Sequence, residues 1–188
     1  MKKITITLLL GVVFLVCGVR ETKAQAFYFG VRAGANFSYV SDRVNSTGKF
    51  GGNFGGLAGY QISSEVAVQG EVLYSFQGYM AGNPALEGTP GDYINLDYLK
   101  IPLIGKLYLI DGLNFEAGVS FNFLCSALQN STKLDGITGF DVSIPVGLAY
   151  KFTKNIEAGL RWDISLIKIN EKYTGAGGVL SLNAAWIF

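Results

Sequence analysis

The sequence predicts an all-β protein: an eight-stranded antiparallel transmembrane β-barrel of up-and-down meander order, formed after removal of a signal peptide. Three observations lead to this prediction. An export signal precedes the folded part, segments with a two-residue hydrophobic period follow one another, and long and short connections alternate between them. Barrels of bacterial outer membranes combine these features, because short turns join their strands on the periplasmic side and longer loops join them outside.

The N-terminus predicts a cleaved secretory signal. Two lysines give a positive start, residues 4–19 are almost entirely apolar, and the small residues of 24–26 suit a signal peptidase. We divide the chain into a signal peptide, residues 1–24, and an outer-membrane β-barrel domain, residues 25–188; cleavage after residue 26 is an alternative. An uncleaved anchor is disfavoured, because the apolar stretch is shorter than the roughly 20 residues of a spanning helix.

Composition suits a surface that mostly faces something other than water. Charged residues make up 15% of the chain, against roughly 25% in ordinary soluble domains, while aromatic residues reach 13%. Removing residues 1–24 changes the formal charge from +1 to about −2, so we expect no basic patch and no nucleic-acid partner. Cys125 then remains alone, which excludes an intrachain disulfide.

The strands are predicted from alternation between apolar and polar residues, which is clearest in the fifth segment. They are expected at residues 27–38, 51–62, 66–77, 93–109, 113–125, 140–152, 156–168 and 177–188. The connections alternate between tight turns at 63–65, 110–112 and 153–155 and long loops at 39–50, 78–92, 126–139 and 169–176. Eight strands that start and end in the periplasm require four outer loops and three inner turns.

The orientation of the two strand faces separates a membrane barrel from a soluble one. Bulky residues such as Phe121 and Trp162 share one face, and small or charged residues such as Glu116 and Arg161 share the other. A soluble ligand-binding barrel places its apolar face inward. Because small residues and opposite charges suit a narrow lumen and large aromatics suit lipid, the pattern favours the membrane barrel.

The polar face predicts a charge network in the lumen whose role is structural. Its expected members are Arg32, Glu71, Lys106, Glu116, Glu157, Arg161 and Asp163. A catalytic use of the glutamates is the alternative, but basic residues on the same face favour salt bridges. The chain contains no histidine, which excludes the serine–histidine and histidine–metal chemistry of known barrel enzymes. We therefore expect no enzyme activity, no cofactor and no metal site.

Aromatic residues near the predicted strand ends indicate girdles at the two membrane interfaces. Phe27, Tyr28 and Phe29 open the first strand at the periplasmic rim. Tyr150 and Phe152 end the sixth strand at the same rim, and Trp186 and Phe188 end the last one. The latter two are also predicted to form the signal for the assembly machinery. At the outer rim the expected aromatics are Tyr79, Tyr93 and Tyr173.

Two features of the sequence offer a ligand-binding site as the less favoured interpretation. Acidic residues in or beside the outer loops offer oxygen ligands for calcium, but their spacing favours solvated loop charges. These residues are Asp42, Glu87, Asp92, Asp97 and Asp135. The glycine-rich segment 51–56 has no helix after it and no P-loop lysine, so it predicts a strand kink and not a phosphate site.

Four segments carry a family resemblance. Residues 30–38 (GVRAGANFS), 73–78 (LYSFQG), 98–106 (YLKIPLIGK) and 159–162 (GLRW) resemble strands of the outer-membrane β-barrel proteins of Bacteroidetes, the PorT-like group. The chain departs from that pattern at Lys100, where an acidic residue is common, and at Gly105, where an aliphatic one is common.

The resemblance implies residence in the bacterial outer membrane and a non-enzymatic role, either structural in the envelope or in binding a ligand or partner through the loops. The alternative is an accessory of transport or protein secretion: a PorT-like component or a small pore. The expected partners are outer-membrane lipid and lipopolysaccharide, with barrel-assembly machinery and periplasmic chaperones during biogenesis. The sequence identifies no loop ligand.

Overall fold

The fold is built from antiparallel β-strands that alternate between an apolar and a polar face. The computed structural model describes residues 26–40, 46–81, 92–129, 132–133, 138–170 and 173–188. The signal peptide, predicted for residues 1–24, lies outside these residues. The strands are β1 Ala26–Val40, β2 Ser46–Gln61, β3 Val66–Ala81, β4 Asp92–Ile110, β5 Leu113–Gln129, β6 Thr132–Lys133, β7 Phe140–Lys151, β8 Ile156–Asn170 and β9 Tyr173–Ile187. Among the described residues, no helix is long and apolar enough to cross a membrane.

Eight of these strands close into a barrel. The sheet order is β4-β3-β2-β1-β9-β8-β7-β5-β6, and an additional pairing of β4 with β5 joins the sheet to itself. β6 is a two-residue strand that pairs only with the outer end of β5. The first and last strands meet along a register from Gly30↔Ile187 to Val40↔Gly177. The predicted eight-stranded antiparallel meander is therefore confirmed.

The outward face of the barrel is an apolar band. Alternate residues along each strand are exposed to the outside, and most of them are large and hydrophobic. Examples are Phe54 (54% exposed), Val72 (53%), Leu148 (51%), Leu160 (51%) and Leu182 (63%). Such an apolar surface is unfavourable in water and suits the hydrocarbon core of a membrane. The closed sheet also has no unpaired strand edge that would leave backbone groups without hydrogen bonds in lipid.

Three tight turns join the strands at one end of the barrel. At the first, the amide N–H groups of Ile62 and Ser63 both donate to the carbonyl of Val66. At the second, Gly112 has a φ of +82°, and a Cβ there would lie 3.0 Å from the Lys151 carbonyl oxygen. Only glycine adopts this backbone conformation without strain. The short turns identify this end as the periplasmic one.

The strands extend further at the opposite, outer end than the sequence pattern predicts. β8 continues to Asn170 and β9 starts at Tyr173, so most of the loop predicted at 169–176 is paired strand. β3 and β5 extend past their predicted ends in the same way. Backbone pairing outside the membrane does not require apolar side chains, and the hydrophobic period therefore ends before the ladder does.

Two prolines face the lumen and locally interrupt the ladders. Pro102 of β4 and Pro145 of β7 are fully buried. The pairing of β3 with β4 has a gap between Gly70↔Leu103 and Leu73↔Lys100, beside Pro102. A proline has no N–H to donate to its neighbour, which accounts for the missing pairs. In the predicted kink region, the register of β2 with β3 shifts between Gly48 and Asn53.

Candidate functional site

The periplasmic half of the lumen is filled by six ionised side chains from five strands, which we call the charge plug. Its members are Arg32 of β1, Glu71 of β3, Lys106 of β4, Glu116 of β5, and Glu157 and Arg161 of β8. Their exposed fractions lie between 1% and 4%. All six were predicted members of the lumen network, and the inward-facing positions of the strands bring them together.

Arg161 is the centre of the charge plug. Its Nη1 lies 2.8 Å from Glu71 Oε2, and its Nη2 donates to Glu71 Oε1 at 3.0 Å. The same guanidinium donates from Nε and Nη2 to Glu116 Oε2, at 3.1 and 2.7 Å. A guanidinium is suited to this position because its planar, forked donors can bind two carboxylates at once.

Arg32 and Lys106 neutralise the remaining carboxylate oxygens. Arg32 lies 3.3 Å from Glu71, 3.5 Å from Glu116 and 3.3 Å from Glu157. Lys106 Nζ lies 2.5 Å from Glu157 and 3.3 Å from Glu116. Three cations and three carboxylates therefore share one layer, which offsets the cost of removing each charge from water.

The charge plug leaves no carboxylate pair free for acid–base catalysis. Each glutamate accepts from, or pairs with, at least two cationic side chains. Glu157 also accepts a hydrogen bond from Asn114 Nδ2 at 3.3 Å. A general base must reach a substrate proton, whereas these oxygens are held inside a packed lumen.

A separate ion pair lies above the charge plug. Asp163 was grouped with the six plug residues in the sequence analysis, but in the structure it pairs with Lys100, whose Nζ lies 2.5 Å from Asp163 Oδ2. Sequence analysis did not include Lys100 in the network. A signal was available, because Lys100 shares the inward face of β4 with Pro102 and Lys106.

The middle of the lumen holds a narrow polar cavity of about 10 Å³, which has room for about one water molecule. Asn36, Asn53, Asn183 and Asp163 contribute to its lining, and each has an Oδ1 atom without a hydrogen-bond partner among the described residues. Acceptors of this kind are commonly satisfied by internal water. This layer separates the charge plug from the wider outer part of the lumen.

The outer half of the lumen contains a small cavity of about 40 Å³, which we call the outer vestibule. One wall is apolar and is formed mainly by Tyr79, Leu96 and Tyr98, which are 3% to 6% exposed. Polar residues also line the cavity, including Lys100, Asp141 and Asp163. Sequence analysis did not predict this cavity, since it depends on which β4 residues the barrel turns inward.

Asp141 is held rigidly in the polar wall. Its Oδ2 accepts hydrogen bonds from Asn122 Nδ2 at 3.0 Å and from Ser165 Oγ at 2.6 Å. Its Oδ1 is buried and has no hydrogen-bond partner among the described residues. The carboxylate is therefore fixed in position through Oδ2, while Oδ1 accepts from none of the described residues.

The predicted interface aromatics divide into two groups. At the periplasmic end, Phe27 (76% exposed), Phe29 (59%) and Phe152 (63%) point outward. The prediction for Tyr28 is wrong, because its hydroxyl donates inward to Gln69 Oε1 at 3.0 Å. Tyr79 is also not an interface residue, since it is only 4% exposed and lies in the core of the outer half. The side chains at 93 and 173 lie outside the described residues.

The C-terminal aromatics lie on the outer surface of the closing strand. Trp186 is 50% exposed and Phe188 is 76% exposed. The Phe188 amide donates to the Phe29 carbonyl at 2.9 Å, and the Ile187 amide donates to the Asn155 carbonyl at 2.7 Å. The chain end is therefore bound to both neighbouring strands. Its role as an assembly signal remains a prediction.

The acidic loop residues of the sequence analysis fall largely outside the described residues. This applies to Asp42, Glu87 and Asp135 and to the side chain of Asp92. Asp97 accepts a hydrogen bond from the Tyr74 hydroxyl at 3.5 Å. Within the described ranges, no group of three or more histidine, cysteine, aspartate or glutamate side chains is arranged to hold a metal ion.

The comparison with known families covers nearly the whole chain. Residues 9–188 match the model of the outer membrane protein beta-barrel domain. No curated protein is significantly similar to the chain in sequence.

Solved structures of outer-membrane proteins are similar in fold. Neisserial surface protein A (NspA) has 17% identity and a TM-score of 0.56, covering 84% of this chain and 96% of its own. The attachment invasion locus protein Ail of Yersinia pestis has 11% identity and a TM-score of 0.52, covering 86% and 98%. The structure of Ail in complex with the heparin analogue sucrose octasulfate has 12% identity and a TM-score of 0.51, covering 86% and 99%.

Proposed function

The chain belongs to the outer membrane protein beta-barrel domain family, and from this premise we propose that it is a non-enzymatic, non-conducting barrel that supports the envelope and binds a ligand at its outer end. It lies in the outer membrane. The observation that carries the proposal is the charge plug, which occupies the periplasmic half of the lumen with side chains that are at most 4% exposed.

The charge plug argues against a pore. An eight-stranded barrel is only wide enough for its own side chains to fill the lumen. Here the filling is ionic: Arg161 and Arg32 each bridge Glu71 of β3 and Glu116 of β5 across the interior. Opening a path for ions would separate charges that are at most 4% exposed, at a cost of several kcal/mol for each broken pair.

The outer end is the part of the barrel that supports binding. The outer vestibule combines an apolar wall with a small number of fixed polar groups, which is the usual composition of a small-molecule site. Its enclosed space of about 40 Å³ is small against the roughly 300–1,000 Å³ of such sites, so it could hold only a small polar or apolar end group of a ligand.

The absence of enzyme activity is supported by two features. The chain has no histidine. Each plug carboxylate is also bound by cationic side chains, so none is available as a nucleophile or base.

Planar-bilayer conductance tests the closed lumen. Purified barrel, shown to be folded by its heat-modifiable gel mobility, is reconstituted into bilayers in a salt solution. We expect no conductance steps, because the charge plug has no open path. Reproducible steps from the folded wild-type barrel, absent from mock-reconstituted bilayers, would contradict the proposal.

A second candidate is an accessory of protein secretion. It rests on the four strand segments that resemble the PorT-like group of Bacteroidetes, including residues 98–106 and 159–162. Affinity capture from intact membranes, with a tag inserted between residues 82 and 91, tests it. Stoichiometric recovery of subunits of one export complex would favour this candidate, and recovery of the barrel alone would count against it.

Interactions with lipopolysaccharide, periplasmic chaperones and the barrel-assembly machinery are part of the same proposal. They follow from residence in the outer membrane, where every barrel passes through the periplasm before it inserts.

A further inference from the structure

The ladder between β2 and β3 is interrupted near the outer end of the barrel. Residues 49–52 of β2 and 76–78 of β3 are all described, yet no ladder pair joins them, although pairs are present on both sides of the gap. The flanking ladders are continuous at this level, because β1 pairs with residues 49–52 and β4 pairs with residues 76–78. The interruption is therefore confined to one place in the wall, which we call the outer seam.

Side chains of β1 replace the missing ladder bonds. Ser38 Oγ donates to the Gly78 carbonyl at 2.7 Å and accepts from the Gly78 amide at 3.0 Å. Since Ser38 belongs to β1 and Gly78 to β3, this side chain reaches past β2. Asn36 makes a similar bridge, because its Nδ2 donates to the Gly52 carbonyl of β2 and to Ser75 Oγ of β3, both at 3.1 Å. The outer seam is therefore held by side chains and not by a ladder.

Gly78 is the residue on which these contacts converge. Its φ is +152°, and a Cβ there would overlap the Ile94 carbonyl oxygen, so only glycine is accommodated without strain. Lys49 of β2 passes over the same residue, because its Cδ would lie 3.2 Å from such a Cβ and its Nζ donates to Asn95 Oδ1 of β4. Lys49 therefore spans β3 in the way that Ser38 spans β2.

The outer seam borders the outer vestibule. Ser38, Gln77 and Gly78 belong to both. Segments with few backbone hydrogen bonds open locally at a lower free-energy cost than continuous ladders do. Residues 48, 51 and 52 are glycines, which gain the most backbone freedom when a segment opens. An opening at this place exposes the vestibule from the side and leaves the charge plug, in the periplasmic half, unchanged.

We infer that the outer seam is a conformational device: Ser38 and Lys49 hold it closed, and its release opens the barrel wall beside the outer vestibule. The enclosed vestibule measures about 40 Å³ in the closed structure, so an opening admits groups that the closed cavity excludes. The inference goes beyond the proposed function, because the charge plug keeps the lumen closed to ions in either state of the seam.

Amide hydrogen exchange of the wild-type barrel tests local opening. The full barrel is placed in phosphatidylcholine nanodiscs, and protection factors are measured residue by residue with NMR. The reference is Leu128 of β5, which lies in the same row of the sheet as Gly78, since both pair with Asn95, and which keeps its ladder pairs. We expect the protection factor of Gly78 to be at least about tenfold lower than that of Leu128. This measurement requires no variant to fold.

Thiol labelling inside the vestibule tests whether Ser38 controls the opening. A cysteine replaces Leu96, a vestibule residue that is 3% exposed, in a Cys125→Ser barrel, and its reaction with methyl methanethiosulfonate is timed. Ser38→Ala should raise the labelling rate at least about fivefold, because it removes both bonds to Gly78. The matched control is Ser143→Ala, another buried vestibule serine, whose strand keeps its ladder pairs at that residue. It should change the rate less than about twofold. Heat-modifiable mobility shows that each variant is folded.

Two results would overturn the inference. Equal protection of Gly78 and Leu128 in the wild-type barrel would show that the outer seam is a rigid bulge. Equal labelling rates in folded Ser38→Ala and Ser143→Ala barrels would show that Ser38 does not control access to the vestibule. Ion conduction by the wild-type barrel would overturn the proposed function instead, so the two failures are distinguishable.

Discussion

Replacing Arg161 with methionine tests whether the charge plug is an electrostatic unit. The side chain makes four short contacts with Glu71 and Glu116, between 2.7 and 3.1 Å. Methionine fills similar space but leaves two buried carboxylates with fewer partners. Removing one partner of a buried ion pair typically costs roughly 3–5 kcal/mol.

The structure sets the expected cost near the lower end of that range. Arg32 remains 3.3 Å from Glu71, and Lys106 remains 3.3 Å from Glu116. After the substitution Glu71 therefore keeps one cation, and Glu116 keeps two, because Arg32 also lies 3.5 Å from it. We expect Arg161→Met to lower the free energy of unfolding by about 3 kcal/mol.

The double variant gives the sharper result. Arg161→Met combined with Glu71→Gln restores a neutral plug, because it removes one charge of each sign. We expect it to be more stable than the sum of the two single effects by at least about 1 kcal/mol, since neighbouring groups of one network are not additive.

Urea unfolding in phosphatidylcholine vesicles provides the measurement. The two tryptophans of the chain, Trp162 and Trp186, both lie on the outward face and report on contact with lipid. The matched control is Lys154→Met at an exposed periplasmic turn, expected to stay within about 0.5 kcal/mol of wild type. A cost below about 1 kcal/mol for Arg161→Met, or additive effects in the double variant, would refute the reasoning.

Three further predictions concern the wall and its closure. Leu160→Arg places a charge on the lipid face and should cost about 2–4 kcal/mol in vesicle unfolding, whereas Leu160→Met should cost less than about 1 kcal/mol; equal costs would contradict the assigned face. Deleting residues 186–188 should abolish heat-modifiable mobility and membrane insertion, because β9 pairs with both β1 and β8; full insertion of the truncated chain would contradict the closing role. Gly112→Ala forces a side chain into a φ of +82° and should cost about 1–2 kcal/mol, while Gly139→Ala, with open space around its Cβ position, should change unfolding by less than about 0.5 kcal/mol. Equal costs for the two alanine variants would show that the positive φ at Gly112 does not determine the stability of the turn.

The barrel wall was predictable from sequence because alternation is a local property. In β5, Asn114, Glu116 and Ser120 are buried while Phe123 is exposed, as the two-residue period requires. The strand ends at the outer side were not predictable, because the pairing there continues without an apolar face. Tyr28 illustrates a further limit: it sits between Phe27 and Phe29, and alternation alone would have turned it inward.

The contacts inside the lumen depend on geometry that sequence does not reveal. Arg32 and Glu157 lie far apart in sequence and meet only because the barrel closes between β1 and β9. The pairing of Lys100 with Asp163 depends on the stagger of β4 relative to β8 across the lumen. The outer vestibule also depends on this stagger. A sequence pattern therefore indicates which residues face the lumen, but not which of them meet there.

The most direct test of the central claim, a membrane barrel with a polar lumen, is an accessibility scan of β5. Single spin-labelled cysteines are placed in turn at residues 115–123 of a Cys125→Ser barrel in lipid vesicles, and the collision rate with dissolved oxygen is measured. We expect a two-residue period, with high rates at odd-numbered positions such as 121 and low rates at even-numbered positions such as 116. A helical period, no period, or the opposite phase would contradict it.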